Sequence, residues 1–495
     1  MTLIEAILPI IILTGTALVV LVVEAFLKDE TSRWIPLFLT LAGLGGAVDC
    51  LTSKIMNLKE PLEFLGGSLR LDTVGLGFSI VIVLGAFLVT FISHSNIRAF
   101  HKPMGEYYSL ILFATLGMVT LALSNDMMSF FISLEVMSIA VYVLAGIQRQ
   151  SVKSNESAIK YLVLGAFSTG FLLLGIAFVY GATGEMGFPA ITESLQKLGS
   201  VDKSMHQLSL LGLGLILVGF LFKIGAFPFQ QWVPDVYEGA PAPVTAYMAT
   251  VVKAAAFAIL ARGILTFFKG YETETLIAIL SVVAVLTMIS GNFMALVQTN
   301  IKRLLAYSGI AHTGYLLLAL VAALADPDKQ LSLTPVIFYL LVYTLMTVGA
   351  FAVLIGVSRI GAGAETLEDI RGLGYRNKLL GASLAVFFFS MAGIPSTAGF
   401  MGKFFIFKEA IANAAAKNAE YSSYLYAVAI IGILTAVVSV YYYLRVVVYL
   451  YLKEENRDYI SFRANWSHTV ITFILLVMTF VLGFYPQLGF SWLKL

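Results

Sequence analysis

The chain has 495 residues, 59% of them hydrophobic and only 12% charged, and its mean hydropathy is +0.90. Soluble domains carry about a quarter charged residues, so a water-soluble globular enzyme is excluded. The net charge of +2 gives no excess of positive charge to hold nucleic acid.

Apolar runs long enough to cross a bilayer recur from one end to the other, so the sequence reads as an all-α polytopic membrane protein. A transmembrane β-barrel would show runs of about ten residues with period-two alternation, and these runs are longer and unalternated. The single cysteine, Cys50, can build neither an iron–sulfur site nor an internal disulfide. About fourteen spans are expected, at 3–27, 35–51, 73–93, 107–124, 127–147, 157–181, 208–226, 243–268, 274–297, 303–324, 334–360, 378–413 (interrupted), 424–450 and 466–486. The first run lacks a basic n-region and a small-residue cleavage site, and is read as a retained span. Loops after odd-numbered spans hold fifteen Lys and Arg, among them Lys28, Arg98, Arg149 and Arg371, against nine on the other side. That bias places both termini on the outer face.

Along the chain, charges inside this apolar sequence stand out. Asp72, with Arg70, reads as an interfacial pair before span three. Glu135 lies within span five, in FFISLEVMSIAVYVLAG. Its ionised form must face protein, water or a cation, and the structural alternative is a carboxylate pinned by Ser133 or Ser138. Lys160 lies near the start of span six. Span seven ends in FLFKIGAFPFQQWVPDVYEGAPAPV, where Lys223 precedes Pro228, Pro234, Pro241 and Pro243. Proline lacks an N–H and breaks the helix. Backbone groups freed at membrane depth survive only where protein or a wet cavity satisfies them. A hairpin through this segment brings Lys223 and Lys253 to similar depth. Burial disfavours an ammonium and a nearby carboxylate favours it, so lysines placed between the two influences can gain and lose a proton. The plainer reading of Lys223 alone is a snorkelling side chain at a span end.

Further on, His312 lies mid-span ten beside Thr313. A lone buried histidine is more often a hydrogen-bonded structural residue, although its chemistry suits a relay. Gly165–Leu174, GAFSTGFLLL, echoes Gly309–Leu318, GIAHTGYLLL, but at an even span offset, where an inverted repeat needs an odd one. Span twelve, FFFSMAGIPSTAGFMGKFFIFKEA, repeats the pattern of span seven: Pro395, Gly393 and Gly399 interrupt it and Lys403 follows. A non-helical break is expected between Gly393 and Gly399. Lys408 and Glu409 read as a solvated pair, and Arg445 in YYYLR as stacking or snorkelling. There is no P-loop, no metal-ligand spacing and no plausible pair of haem histidines.

The segment WVPDVYEGAPAPVTAYMATVVKAAAF, with SLEVMSIAVYVLAG, SNESAIKYLVLGAFSTG and GIPSTAGFMGKFFIF, resembles the antiporter-like membrane subunits of proton-pumping NADH:quinone oxidoreductase, respiratory complex I. The resemblance covers essentially the whole chain. It implies two inverted five-helix repeats with discontinuous helices 7 and 12. The corresponding division is 1–106 (three N-terminal helices), 107–268 and 269–450 (the repeats) and 451–495 (the last helix). It also implies a proton relay of Glu135, Lys223, Lys253 and Lys403, with Lys160 and His312 as candidate further members. Glu135 is then expected within ion-pair or one-water reach of Lys223. Lysine at 403, where a sister subunit has glutamate, narrows the match within the family. No cofactor is expected in this chain; flavin, iron–sulfur clusters and quinone belong to partner subunits. Partners would be a neighbouring antiporter-like subunit M and small subunits such as K and J, in a bacterial plasma membrane. The alternative is a D-type subunit of a multisubunit sodium/proton antiporter.

Overall fold

A computed structural model describes residues 3–27, 34–98, 104–268, 273–326, 332–357, 365–416, 421–453 and 466–491. Several loop residues behind the orientation argument, such as Lys28, Lys102 and Arg457, lie outside them. In chain order the elements are α1 Leu3–Phe26, α2 Trp34–Asn57, β1 Leu62–Phe64, β2 Leu69–Leu71, α3 Thr73–Arg98, α4 Met104–Leu123, α5 Met127–Ala145, α6 Val152–Thr183, α7 Phe188–Val201 and α8 Lys203–Ile224. They continue with α9 Trp232–Gly239, α10 Ala242–Tyr247, a π-helical turn Met248–Val252, α11 Lys253–Leu265, α12 Thr273–Leu296, α13 Ile301–Leu324, α14 Thr334–Val357, α15 Leu373–Arg376, α16 Lys378–Ala392, α17 Ala398–Ala415, α18 Ser422–Tyr451, α19 Trp466–Phe484 and α20 Gln487–Phe490.

Among the described residues, thirteen helices are long and apolar enough to cross a membrane unaided. The fourteenth expected span is the pair α16 and α17, which together cover its limits. The chain is therefore an all-α polytopic fold, as its apolar runs require. Helix starts follow local chemistry: the side chains of Asp126, Ser151, Asp202, Asn300 and Asn377 each accept from a backbone N–H of the first turn. The long α6 begins at Val152, earlier than expected, because Ser151 caps it there. Helix α2 runs on to Asn57 because the Lys54 ammonium is buried against the Glu5 carbonyl of α1.

The helices carrying the central lysines are the most enclosed. Every residue of α13 except Arg303 and Tyr307 is buried, as is nearly all of α10, α11 and α14. By contrast α5, α6 and α18 leave apolar side chains such as Ile132, Phe167 and Val437 exposed, as helices facing lipid or neighbours do. Two elements were not legible in the sequence. One is the β1–β2 hairpin, antiparallel with Leu62 opposite Leu71. The other is the amphipathic α7, which Phe188 N–H ties to Asn125 O and Met127 N–H to Met186 O. Both are short and too polar to register as spans.

The structure changes the reading of two charges. Asp72 makes the expected pair with Arg70, but its closer partner is Arg262 of α11. The guanidinium, 3% exposed, reaches the carboxylate at 2.8 and 2.9 Å and the Ala122 carbonyl at 2.8 and 3.1 Å. Arg70 stands 3.6 Å away. The planar guanidinium of Arg262 matches both carboxylate oxygens at once, which a single contact from Arg70 does not. Arg445 neither stacks nor snorkels. It donates to the carbonyls of Leu296 and Gln298 and so closes the C-terminus of α12.

Burial pushes the Asp72 carboxyl up, but the Arg262 guanidinium and the Gly75 N–H outweigh it and hold it below the usual carboxylate range. A carboxyl depressed on folding stabilises the fold above its unfolded value, and loses that contribution as pH falls through the folded one. Asp72→Asn should leave Arg262 buried without its counter-charge. Breaking a buried pair costs about 3–5 kcal/mol, so the purified variant should unfold at a clearly lower temperature near neutral pH. The gap to the native protein should narrow in strong acid; equal midpoints at neutral pH would show that the pair contributes nothing.

Candidate functional site

The site is built on the break after α8. The helix ends because Gly225 takes a left-handed conformation, φ 69°, which favours glycine. Gly225 N–H and Ala226 N–H turn back to the carbonyls of Phe222 and Leu221, at 3.0 and 2.9 Å. The Phe227–Pro228 peptide is cis. The freed groups are met by protein. Thr313 Oγ1 donates to Ile224 O at 3.0 Å, Phe227 N–H donates to Thr287 Oγ1 at 3.0 Å, and Trp232 Nε1 donates to Phe222 O at 3.1 Å. The chain then passes through α9 and re-enters at α10, where Pro241 and Pro243 fit the N-terminal turn.

Lys223, in the last turn of α8, is buried. Its ammonium donates to Ser138 Oγ at 2.9 Å and Tyr142 OH at 3.3 Å, both on α5. Glu135 lies on the same face of α5, but its Oε1 accepts from Thr169 Oγ1 of α6 at 3.0 Å. No direct Glu135–Lys223 ion pair forms within 4.0 Å. The reason is helical rise: Lys223 meets α5 at positions three and seven residues beyond Glu135, about 4.5 and 10 Å further along the axis. Of the expected ion-pair or one-water reach, the direct pair is absent, and Lys223 instead meets the hydroxyls of Ser138 and Tyr142. Neither Ser133 nor Ser138 pins the carboxylate; Thr169 does.

Lys253 follows the π-helical turn, a feature frequent at functional sites. Its ammonium donates to Gly309 O at 2.5 Å and Thr313 Oγ1 at 3.1 Å, and sits 5.4 Å from the Tyr343 ring centroid. Lys223 and Lys253 line one small cavity of ≈ 10 Å³ with Trp232, Tyr237 and Ile310, about the room one water needs. The hairpin through the prolines thus brings the two lysines together. Thr313 joins them: it accepts from Lys253 and donates to Ile224, the residue after Lys223.

The second break lies where span twelve was expected to fail. Helix α16 stops at Ala392, Gly393 turns at φ 89°, and α17 starts at Ala398. Lys403, 6% exposed, donates to Met391 O at 2.8 Å and Ala392 O at 3.2 Å. The ammonium occupies the carbonyl end of the half-helix, where the helix dipole is negative. Between the two lysine sites lies His312, buried, with a tyrosine hydroxyl on each ring nitrogen: Tyr339 at Nδ1, 2.5 Å, and Tyr443 at Nε2, 3.0 Å.

Lys160 is elsewhere. It pairs with Glu156 at 2.7 Å and Asp235 at 2.8 Å on a half-exposed face. Arg303 bridges Asp235 and Glu238 at 2.8 and 3.0 Å, and Lys153 adds to Glu238 at 3.2 Å. Burial pushes the Asp235 carboxyl up, but Lys160 and Arg303 hold it below the usual range. These carboxylates of the PDVYEG segment fasten α9 to α6 and α13. Sequence reading missed this network, and also missed Tyr142, Thr169, Thr287, Tyr339 and Tyr443. Hydroxyl residues are common in apolar helices and carry no signal until their partners are known.

Residues 124–418 match the family described as NADH:quinone oxidoreductase/Mrp antiporter, transmembrane. The chain is 41% identical over 93% of its length to "NADH-quinone oxidoreductase subunit N" of Trichlorobacter lovleyi, covering 90% of that protein. Its fold is similar to a chain of respiratory complex I from Thermus thermophilus, with a TM-score of 0.78, 33% identity and 98% of each chain covered. A chain of the Mrp complex from Dietzia is similar in fold, with a TM-score of 0.80 at 20% identity, over 100% of this chain and 96% of that one.

Thr313→Val keeps the shape but removes the hydroxyl shared by Lys253 and Ile224. A buried carbonyl left unpaired costs about 1–3 kcal/mol. Amide hydrogen exchange at 224–229 should therefore rise, while α8 above the break stays protected. Unchanged exchange in that loop would mean that Thr313 does not hold the break.

Proposed function

This chain belongs to the NADH:quinone oxidoreductase/Mrp antiporter transmembrane family, and we propose that it is the subunit N component of a complex I-type NADH:quinone oxidoreductase. In that role it is a proton-translocating part of the membrane arm, and quinone reduction elsewhere in the complex drives it. The observation that carries the reading is the shared cavity of Lys223 and Lys253 at a broken span.

Lys223 is the central carrier. Glu135 acts on it through charge across the hydroxyls of Ser138 and Tyr142. Lys253 and then His312 take the proton toward Lys403, which releases it. Lys160 serves as a clamp on α9, outside this relay. Moving one charge against 100 mV costs about 2.3 kcal/mol, so the Glu135–Lys223 interaction must change by that order during turnover. Flavin, iron–sulfur clusters and quinone reside in partner subunits. The neighbours are an antiporter-like subunit M and small subunits such as K and J. The excess of loop Lys and Arg after odd spans supports both termini lying outside a bacterial plasma membrane. The two broken spans, five apart, support two inverted repeats, 107–268 and 269–450.

A D-type subunit of a sodium/proton antiporter would share the fold. Sodium needs several oxygen ligands, whereas each buried lysine here already takes the nearby hydroxyls and carbonyls with its own donors.

Lys223→Ala in the intact complex should leave assembly unchanged and strongly lower both quinone reductase activity and pumping. Glu135→Gln should do the same to a smaller extent, and Glu135→Asp should keep part of the activity. Full pumping by an assembled Lys223→Ala complex would remove the lysine from the relay. A Gln variant as active as wild type beside a dead Asp variant would show that shape, not charge, governs position 135.

A further inference from the structure

His312 is an imidazole between the lysine sites, and its surroundings are specific. It is 1% exposed and within electrostatic reach of both Lys253 and Lys403. Each ring nitrogen has one hydroxyl, from different helices: Tyr339 of α14 and Tyr443 of α18. Tyr443 OH continues to Ser308 Oγ at 2.5 Å. Ser308 precedes Gly309, whose carbonyl accepts from Lys253. On the other side, the Tyr339 ring lies against Gly402, the residue before Lys403. A Cβ there would fall 2.7 Å from Tyr339 Cδ2, so glycine is required for this approach.

We propose that Tyr339 and Tyr443 are positioning residues that clamp His312, tie the tautomer of its ring to the direction of their hydroxyls and complete a hydroxyl–imidazole–hydroxyl path from the Lys253 side to the Lys403 side. The inference rests on the relay reading above. Two donor–acceptor arrangements satisfy this chain equally. In one, Tyr339 O–H donates to Nδ1, Nε2–H donates to Tyr443 and Tyr443 O–H donates to Ser308; in the other, every donor and acceptor is exchanged. The first is set to pass a proton from Tyr339 toward Ser308. The second is set to pass one from the Lys253 side to the Lys403 side: Nε2 receives one proton and Nδ1 gives one to Tyr339. The ring ends neutral, and one proton has crossed. Each passage leaves the chain in the other arrangement, so the hydroxyls must turn and the ring must exchange tautomer before the next.

The test uses the whole complex in proteoliposomes, with assembly checked on native gels. Proton uptake and NADH:quinone reduction are measured for Tyr339→Phe, Tyr443→Phe, His312→Gln and the combinations. Phenylalanine keeps each ring in place and deletes the hydroxyl. Each single tyrosine variant should assemble and lower the pumping rate severalfold. His312→Gln should add little to either, because residues acting through one group are non-additive. Additive losses, or wild-type pumping by both tyrosine variants, would overturn the clamp. Should Tyr443→Phe fail to assemble, Ser308→Ala, which leaves both rings untouched, carries the same comparison. A Lys403→Ala complex is measured alongside. If it too pumps normally, the relay reading fails; if it is impaired while the tyrosine variants are normal, only the clamp fails.

Discussion

Everything distinctive in this molecule depends on one constraint: a backbone polar group at membrane depth must find its partner inside the protein. Two spans are interrupted, and each interruption frees carbonyls and amides that lipid cannot satisfy. At the first, hydroxyls and an indole from other elements meet them, with Thr313, Thr287 and Trp232 each placed on a freed atom. At the second, Lys403 itself takes the last carbonyls of α16, and Ser390 Oγ accepts the Gly399 N–H. The polar interior is therefore a requirement of the breaks, and the lysines are part of how it is met.

The two breaks meet that requirement differently, and this makes the chain asymmetric. Lys223 lies before its break and reaches sideways to hydroxyls on α5. Lys403 lies after its break and reaches back to the carbonyl end of the preceding half-helix. Hydroxyls can rotate and exchange donor for acceptor. Carbonyls at a helix end cannot, since their direction is fixed by the helix. The first lysine thus sits among adjustable partners and the last among fixed ones. An adjustable site suits a group whose proton is exchanged inside the protein. A fixed one suits a terminal station that holds its charge until the proton leaves.

Much of this was legible in the sequence, for physical reasons. Apolar run length gave the spans, because bilayer thickness sets it. Pro228, Gly393 and Pro395 gave the breaks, because their backbone restrictions do not depend on context. Lys223, Lys253 and Lys403 stood out because charge in an apolar span is costly. What failed was partner choice. Asp72 pairs with Arg70 as expected but binds the distant Arg262 more closely, and Arg445 caps a helix that precedes it by well over a hundred residues. Glu135 was expected within ion-pair or one-water reach of Lys223; the register of α5 against α8 leaves no direct pair, and no local pattern encodes that register. The network of Asp235, Glu238, Lys160 and Arg303 was hidden for the same reason, since its members come from three helices.

The partners of the buried lysines also decide where control can lie. Among the described residues, Lys223, Lys253 and Lys403 bond to hydroxyl or carbonyl oxygens and to no carboxylate. Such oxygens support an ammonium through fixed or rotating dipoles, which fall away over short distances and act only on the group they touch. A charge acts further, especially where the medium is poorly screening. Glu135 is the carboxylate sharing a helix face with the partners of Lys223, and Thr169 holds it at a distance that a modest sliding of α5 or α6 would change. A small displacement there alters the field at Lys223 without breaking any of its own hydrogen bonds. The proposed relay, with neutral partners and one remote charge, could therefore be switched at its first lysine while its later stations keep their geometry.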